Sequence, residues 1–89
     1  MRKLGAQVTP AQCKMARAGL GLSVRDLANL AQVSTNTVSR LEAGEELKPR
    51  TVEAIRTALE AAGVEFIPEN GGGAGVRLRK VGVPEDSDN

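Results

Sequence analysis

The stretch LSVRDLANLAQVSTNTVSRLEAG, residues 22–44, constrains the fold more than any other part of this chain. It reads as two short helices joined by a tight turn. Ser23 is an N-cap with Asp26 three residues on, where a carboxylate also suits the positive end of a helix. That helix covers about residues 24–31. Gln32 and Val33 make the turn, and Ser34 caps the next helix, which runs to about Ala43 and stops at Gly44. Leu27, Ala28, Ala31, Val33, Val38 and Leu41 fall on faces that turn inward. Thr35, Asn36, Thr37, Ser39 and Arg40 are left pointing outward on the second helix.

Other helices flank this pair. Thr9 is an N-cap, Pro10 fits the first helical position and Gln12 completes a capping box, so a first helix starts there and ends at Gly19. Pro49 opens a fourth, to about Ala62 and Gly63, with Val52, Ile55, Leu59 and Ala62 at helical spacing. Beyond it the pattern changes. Residues 64–67 are β-branched and aromatic, NGGGAG at residues 70–75 is a turn, and residues 76–80 alternate apolar with basic. The glycine run lacks the GK[ST] ending and following helix of a phosphate cradle, so it reads as a hairpin turn. The expected architecture is mainly α: a bundle of four to five helices followed by two short C-terminal strands. The divisions expected are a flexible arm over 1–8, the helical domain over 9–63, a β segment over 64–81 and a disordered acidic tail over 82–89.

Composition removes several function classes. Phe66 is the lone aromatic residue, which leaves no stacking platform for single-stranded nucleic acid. With no histidine and one cysteine, Cys13, a zinc site of His and Cys cannot be assembled and no internal disulfide can form. Cys13 reads as a small core residue on the first helix. No apolar run approaches the roughly 18 residues of a membrane span, and MRKLGAQ lacks a secretory signal's hydrophobic stretch. The chain is expected to be cytoplasmic, not an enzyme, and without cofactor or metal: no nucleophile stands beside a matching base. Residues 1–50 hold eight Lys/Arg against four Asp/Glu, a net of +4, whereas the stretch from Val81 holds Glu85, Asp86 and Asp88, a net of −3. Positive charge therefore accompanies the helical pair, as suits a surface facing phosphates.

The outward side chains of the second helix are short hydrogen-bonding groups plus one guanidinium. Such groups match the donors and acceptors on base edges in a DNA major groove, where Asn pairs with adenine and Arg with guanine. Each could instead cap the helix or meet phosphate.

These residues resemble those of the phage-repressor-type (Cro and XRE-like) helix-turn-helix transcriptional regulators. The pattern LAxxAxVSxxTVSRxExG is carried by Leu27-Ala28, Ala31, Val33-Ser34, Thr37-Val38-Ser39-Arg40, Glu42 and Gly44, and the likeness extends from Thr9 to about Ala62. The resemblance implies a lambda-repressor-like helix-turn-helix bundle with a recognition helix from Ser34 and base contacts from Thr35, Asn36, Thr37, Ser39 and Arg40. It implies DNA-backbone contacts at Ser23 and Val24, through amides at a helix N-terminus, and at Lys48 and Arg50 in a basic loop. It also implies an ion pair between Arg17 and Glu42, a structural role set against phosphate binding by Arg17. The chain departs from the family at Gln32, where glycine is common in a left-handed turn, and at Val24, where many members carry glutamine. Glu45 and Glu46 depart too, since they would repel phosphate unless they point away.

The function implied is a sequence-specific, double-stranded-DNA-binding repressor. It would be a homodimer joined through the C-terminal strands and read a pseudo-palindromic operator. The alternatives are an antitoxin, with a toxin or other protein as partner, and a protein-binding module that has lost DNA. Arg77, Arg79 and Lys80 read as a solvated strand face.

Overall fold

A computed structural model of the chain describes residues 8–69 and 71–79. Four helices precede a two-stranded sheet: α1 (Pro10–Leu20), α2 (Val24–Ala31), α3 (Thr35–Glu42), α4 (Pro49–Ala62), β1 (Val64–Ile67) and β2 (Gly75–Leu78). The fold is the mainly helical helix-turn-helix bundle with C-terminal strands. Most of the bundle's arm (1–7) and all of the acidic tail (82–89) lie outside the described residues, as does Lys80.

Local chemistry sets the helix starts. Thr9 and Ser23 each close a capping box, with Gln12 and Asp26 as the reciprocal partners. At α3 the Ser34 hydroxyl accepts from the Thr37 amide at 3.0 Å, and α4 starts on Pro49 without a side-chain cap. Three helix ends share one device, the Schellman motif. The amides of Leu22, Val33 and Glu45 donate to the carbonyls of Arg17, Ala28 and Arg40 at 2.9, 3.0 and 3.0 Å. The residue before each takes a left-handed backbone: Gly21 (φ 72°), Gln32 (φ 61°) and Gly44 (φ 91°). Gln32 is the one non-glycine with positive φ among the described residues.

The first helix is longer than the sequence suggests. It passes through Gly19, expected to end it, and stops at Leu20 with Gly21 as its cap. The left-handed Gly21 closes the helix, and Gly19 within it serves packing instead. A Cβ at residue 19 would come within 3.3 Å of Leu78 Cδ2, so Gly19 gives β2 a close approach to α1.

Leu27, Ile55, Leu59, Val38, Val64 and Cys13 are the largest fully buried side chains, drawn from all four helices and β1. Val8 corrects the expected arm boundary, because it is 6% exposed and belongs to the core. It stands just before the Thr9 cap, the position from which a hydrophobic staple packs toward residue 13; Cys13 is in the same cluster.

The hairpin pairs antiparallel, with Val64 opposite Leu78 and Ile67 opposite Gly75. The second strand, expected over 76–80, is set earlier. Val64, Phe66 and Val76 turn toward the core, and Arg79 already ends the pairing with an amide bond to the Gly63 carbonyl at 2.8 Å. Two strands alone are marginal in water, but this hairpin is not alone. The buried Gln12 side chain donates from Nε2 to the carbonyls of Ile67 (3.1 Å) and Gly75 (3.0 Å), while its Oε1 accepts from the Thr9 amide (3.0 Å). One residue thus caps α1 and ties both strands to it.

Candidate nucleic-acid interface

Helix α3 has two unlike faces. Val38 and Leu41, three residues apart, are buried in the core. Thr35, Asn36, Ser39 and Arg40, spaced one, three and one, share the opposite side and are exposed. A 3.6-residue period puts these four on one stripe. Thr37 lies at its flank, half-buried. Its hydroxyl is 2.8 Å from the Ser34 hydroxyl, so one of its hydrogen bonds is spent on the helix start.

The inner side of α3 is anchored to α1 by Arg17 and Glu42. Arg17 Nε donates to Glu42 Oε2 at 2.7 Å and Nη2 to Oε1 at 2.8 Å, the two-pronged geometry that suits a guanidinium and a carboxylate. Arg17 Nη1 also reaches the Leu22 carbonyl at 3.2 Å, at the entry to α2. The pair is 21% and 9% exposed. Arg17 is therefore spent inside the molecule. The bond from Arg17 holds the Glu42 carboxyl below its ordinary range, outweighing the opposing effect of burial. The Cys13 thiol donates to the same carboxylate at 3.2 Å. Burial, then that bond, pushes the thiol up to about 12, so at neutral pH it is not a nucleophile.

At the start of α2, Ser23 is exposed, but its hydroxyl is taken by the Asp26 amide (3.0 Å) and its amide by the Asp26 carboxylate (2.9 Å). The backbone bond from Ser23 lowers the Asp26 carboxyl below its usual value. The Val24 side chain packs against the core. What the site offers outward is the amides of Val24 and Arg25, which have no partner within the helix.

Lys48 and Arg50 flank Pro49 and are exposed. Neither forms an ion pair among the described residues. An open cleft joins this loop to α3, with Ser34, Thr37, Arg40, Lys48 and Thr51 along its walls together with Glu46, which therefore does not turn away from it. The cleft thus brings Arg40 of α3 and Lys48 onto one side, and Arg17 and Glu42 are not among its walls. Two further residues shape this side. Thr51 joins the cleft from the first turn of α4. Glu45 neither faces away nor stands free, for its Oε1 accepts from Arg40 Nε at 2.9 Å. The only trace of that contact in the sequence is an acidic residue directly after the terminating glycine.

Two capped helices, a left-handed turn at Gln32 and a polar outer face on the second helix define a helix-turn-helix. A family model described as a helix-turn-helix domain matches residues 11–66, and the chain belongs to that family. The match runs from α1 into β1, so it takes in the whole bundle. No curated protein matches the chain. The domain is a DNA-binding fold rather than a catalytic one. No helix among the described residues is long and apolar enough to cross a membrane.

Proposed function

We propose that this chain is a sequence-specific regulator of the phage-repressor type, acting as a repressor. It binds double-stranded DNA with α3 in the major groove. One observation carries the reading: Thr35, Asn36, Ser39 and Arg40 stand exposed on a helix whose other side is locked into the core. Asn36 and Arg40 can each pair with a base through two hydrogen bonds, and Thr35 and Ser39 with one. Thr37 contributes at the edge. Lys48, Arg50 and the α2 amide at Val24 meet phosphates, while Ser23, whose amide is held by Asp26, stands beside that contact.

The unit is a homodimer joined through the hairpin, reading half-sites about 34 Å apart on one face of the duplex. The two-stranded sheet supports this, since no third strand pairs with it among the described residues and Leu78 is 52% exposed on it.

A mobility-shift titration over the DNA upstream of the chain's own gene tests the proposal. Retardation at low salt that survives excess scrambled competitor is expected. Replacing Arg50 by Ala should lower the salt slope by about one unit, the signature of a lost phosphate contact. The Arg40–Glu45 contact is the observation that favours a rival, a protein-binding module that no longer binds DNA. No retardation of any duplex at low salt would establish that rival instead.

A further inference from the structure

Resting on the DNA-binding reading above, we propose that Glu45 is a positioning residue for Arg40: it grips the inner nitrogen of the guanidinium and leaves the outer edge to read a base pair. Three features place it there. Gly44, at φ 91°, turns the chain back at the end of α3. The Glu45 amide then bonds to the carbonyl of Arg40 itself, at 3.0 Å. The side chain completes the loop, with Oε1 accepting from Nε at 2.9 Å. The helix terminator and the grip on Arg40 are thus one structural unit, built within six consecutive residues, 40–45.

The choice of nitrogen matters. A guanidinium presents two edges, one made by Nε with an Nη and one made by the two Nη groups. Glu45 takes Nε, and among the described residues Arg40 makes no other side-chain hydrogen bond. The outer edge remains available for the two-pronged contact to O6 and N7 of guanine. Holding a long side chain in place before DNA arrives reduces the rotamer freedom lost on binding. The pair is exposed, 46% and 54%, so its contribution to folding is small.

Glu45 acts on specificity in a second way. Its negative charge repels phosphate wherever Arg40 finds no matching base, which weakens binding to the wrong DNA more than to the right one. An acidic residue on a DNA-facing surface is then an element of discrimination rather than an obstacle.

The test is selection from a randomised duplex library of about 20 base pairs, enough for two half-sites, with the wild type, Arg40→Ala, Glu45→Ala and Glu45→Gln. Melting curves verify folding of each variant. Arg40→Ala identifies the base pairs that depend on Arg40. Glu45→Ala is expected to lose preference at those same pairs, by about five-fold or more, while its affinity for scrambled duplex rises. Glu45→Gln keeps an acceptor for Nε and is expected to retain most of the preference with the same rise on scrambled DNA. Full preference retained in Glu45→Ala overturns the proposal. So does equal loss in the alanine and glutamine variants, which would reduce Glu45 to a charge. A wild type that enriches no duplex contradicts the DNA-binding reading itself, and this proposal falls with it.

Discussion

Helix α3 carries two arginine–glutamate contacts, one on each side, and they differ in almost every respect. Inside, Glu42 takes Arg17 of α1 with both oxygens, at 2.7 and 2.8 Å, largely shielded from water. Outside, Arg40 meets Glu45 through a single bond of 2.9 Å, with both side chains about half exposed. The inner pair joins distant parts of the chain, and the outer pair spans five residues. Burial decides what each can do. A shielded pair is costly to break because the charge left behind has no water. An exposed pair contributes little to folding, so its groups remain free to serve binding.

The largest expected effect is therefore on the inner side. Glu42→Ala strands the Arg17 guanidinium and the Cys13 thiol, and should destabilise the fold by about 3 kcal/mol in urea titrations. At this chain length that corresponds to a fall in Tm of more than about 12 °C. A loss no larger than that of an exposed pair would erase the contrast.

The pH dependence should separate the sides next. The Glu42 carboxyl titrates below its ordinary 4.5 in the folded protein. The stability it contributes is present above 4.5 and lost as pH falls through the lowered value. Wild type should thus weaken in acid more steeply than Glu42→Gln. At the alkaline end, the Cys13 thiol is raised from 9.0 to about 12. Its contribution is present below 9 and lost as pH rises from 9 toward 12. Cys13→Ala should flatten that limb, as denaturation midpoints across pH will reveal.

A smaller gain is expected at the turn between the two helices. Gln32 has a left-handed backbone, φ 61°, which costs a side-chain-bearing residue about 1–2 kcal/mol. Gln32→Gly should stabilise by roughly 0.5–1 kcal/mol, since glycine's freedom in the unfolded chain offsets part of the relief. Smallest of all on stability is Arg40→Ala, at under about 1 kcal/mol. Its effect belongs in DNA binding instead.

The sequence displayed some of this and concealed the rest for a physical reason. Thr9, Ser23 and Ser34 announce their helices because capping is chemistry among near neighbours. The bounds of α2 and α4 were legible for the same reason, while the left-handed demand at Gln32 came from the family resemblance. What failed to show was settled across the fold. Gly19 and Gly21 look alike as terminators, and nothing local reveals that Gly19 instead lies against Leu78, nearly sixty residues away. Gln12 reads as a cap, and nothing local reveals that its amide holds Ile67 and Gly75. Val8 looks like part of an arm until the core is assembled around it. At the interface the outward stripe of α3 follows from periodicity alone, whereas the bond from Arg40 to Glu45 depends on how Gly44 turns the chain.

The central claim is that the outer face of α3 reads bases. Its most direct test is the ratio of dissociation constants for a selected duplex and its scrambled counterpart, measured for wild type and Asn36→Ala at one salt concentration. Asn36→Ala is expected to lower this ratio by about five-fold or more, one lost two-bond base contact, with scrambled-duplex affinity unchanged. Equal weakening on both duplexes would contradict it.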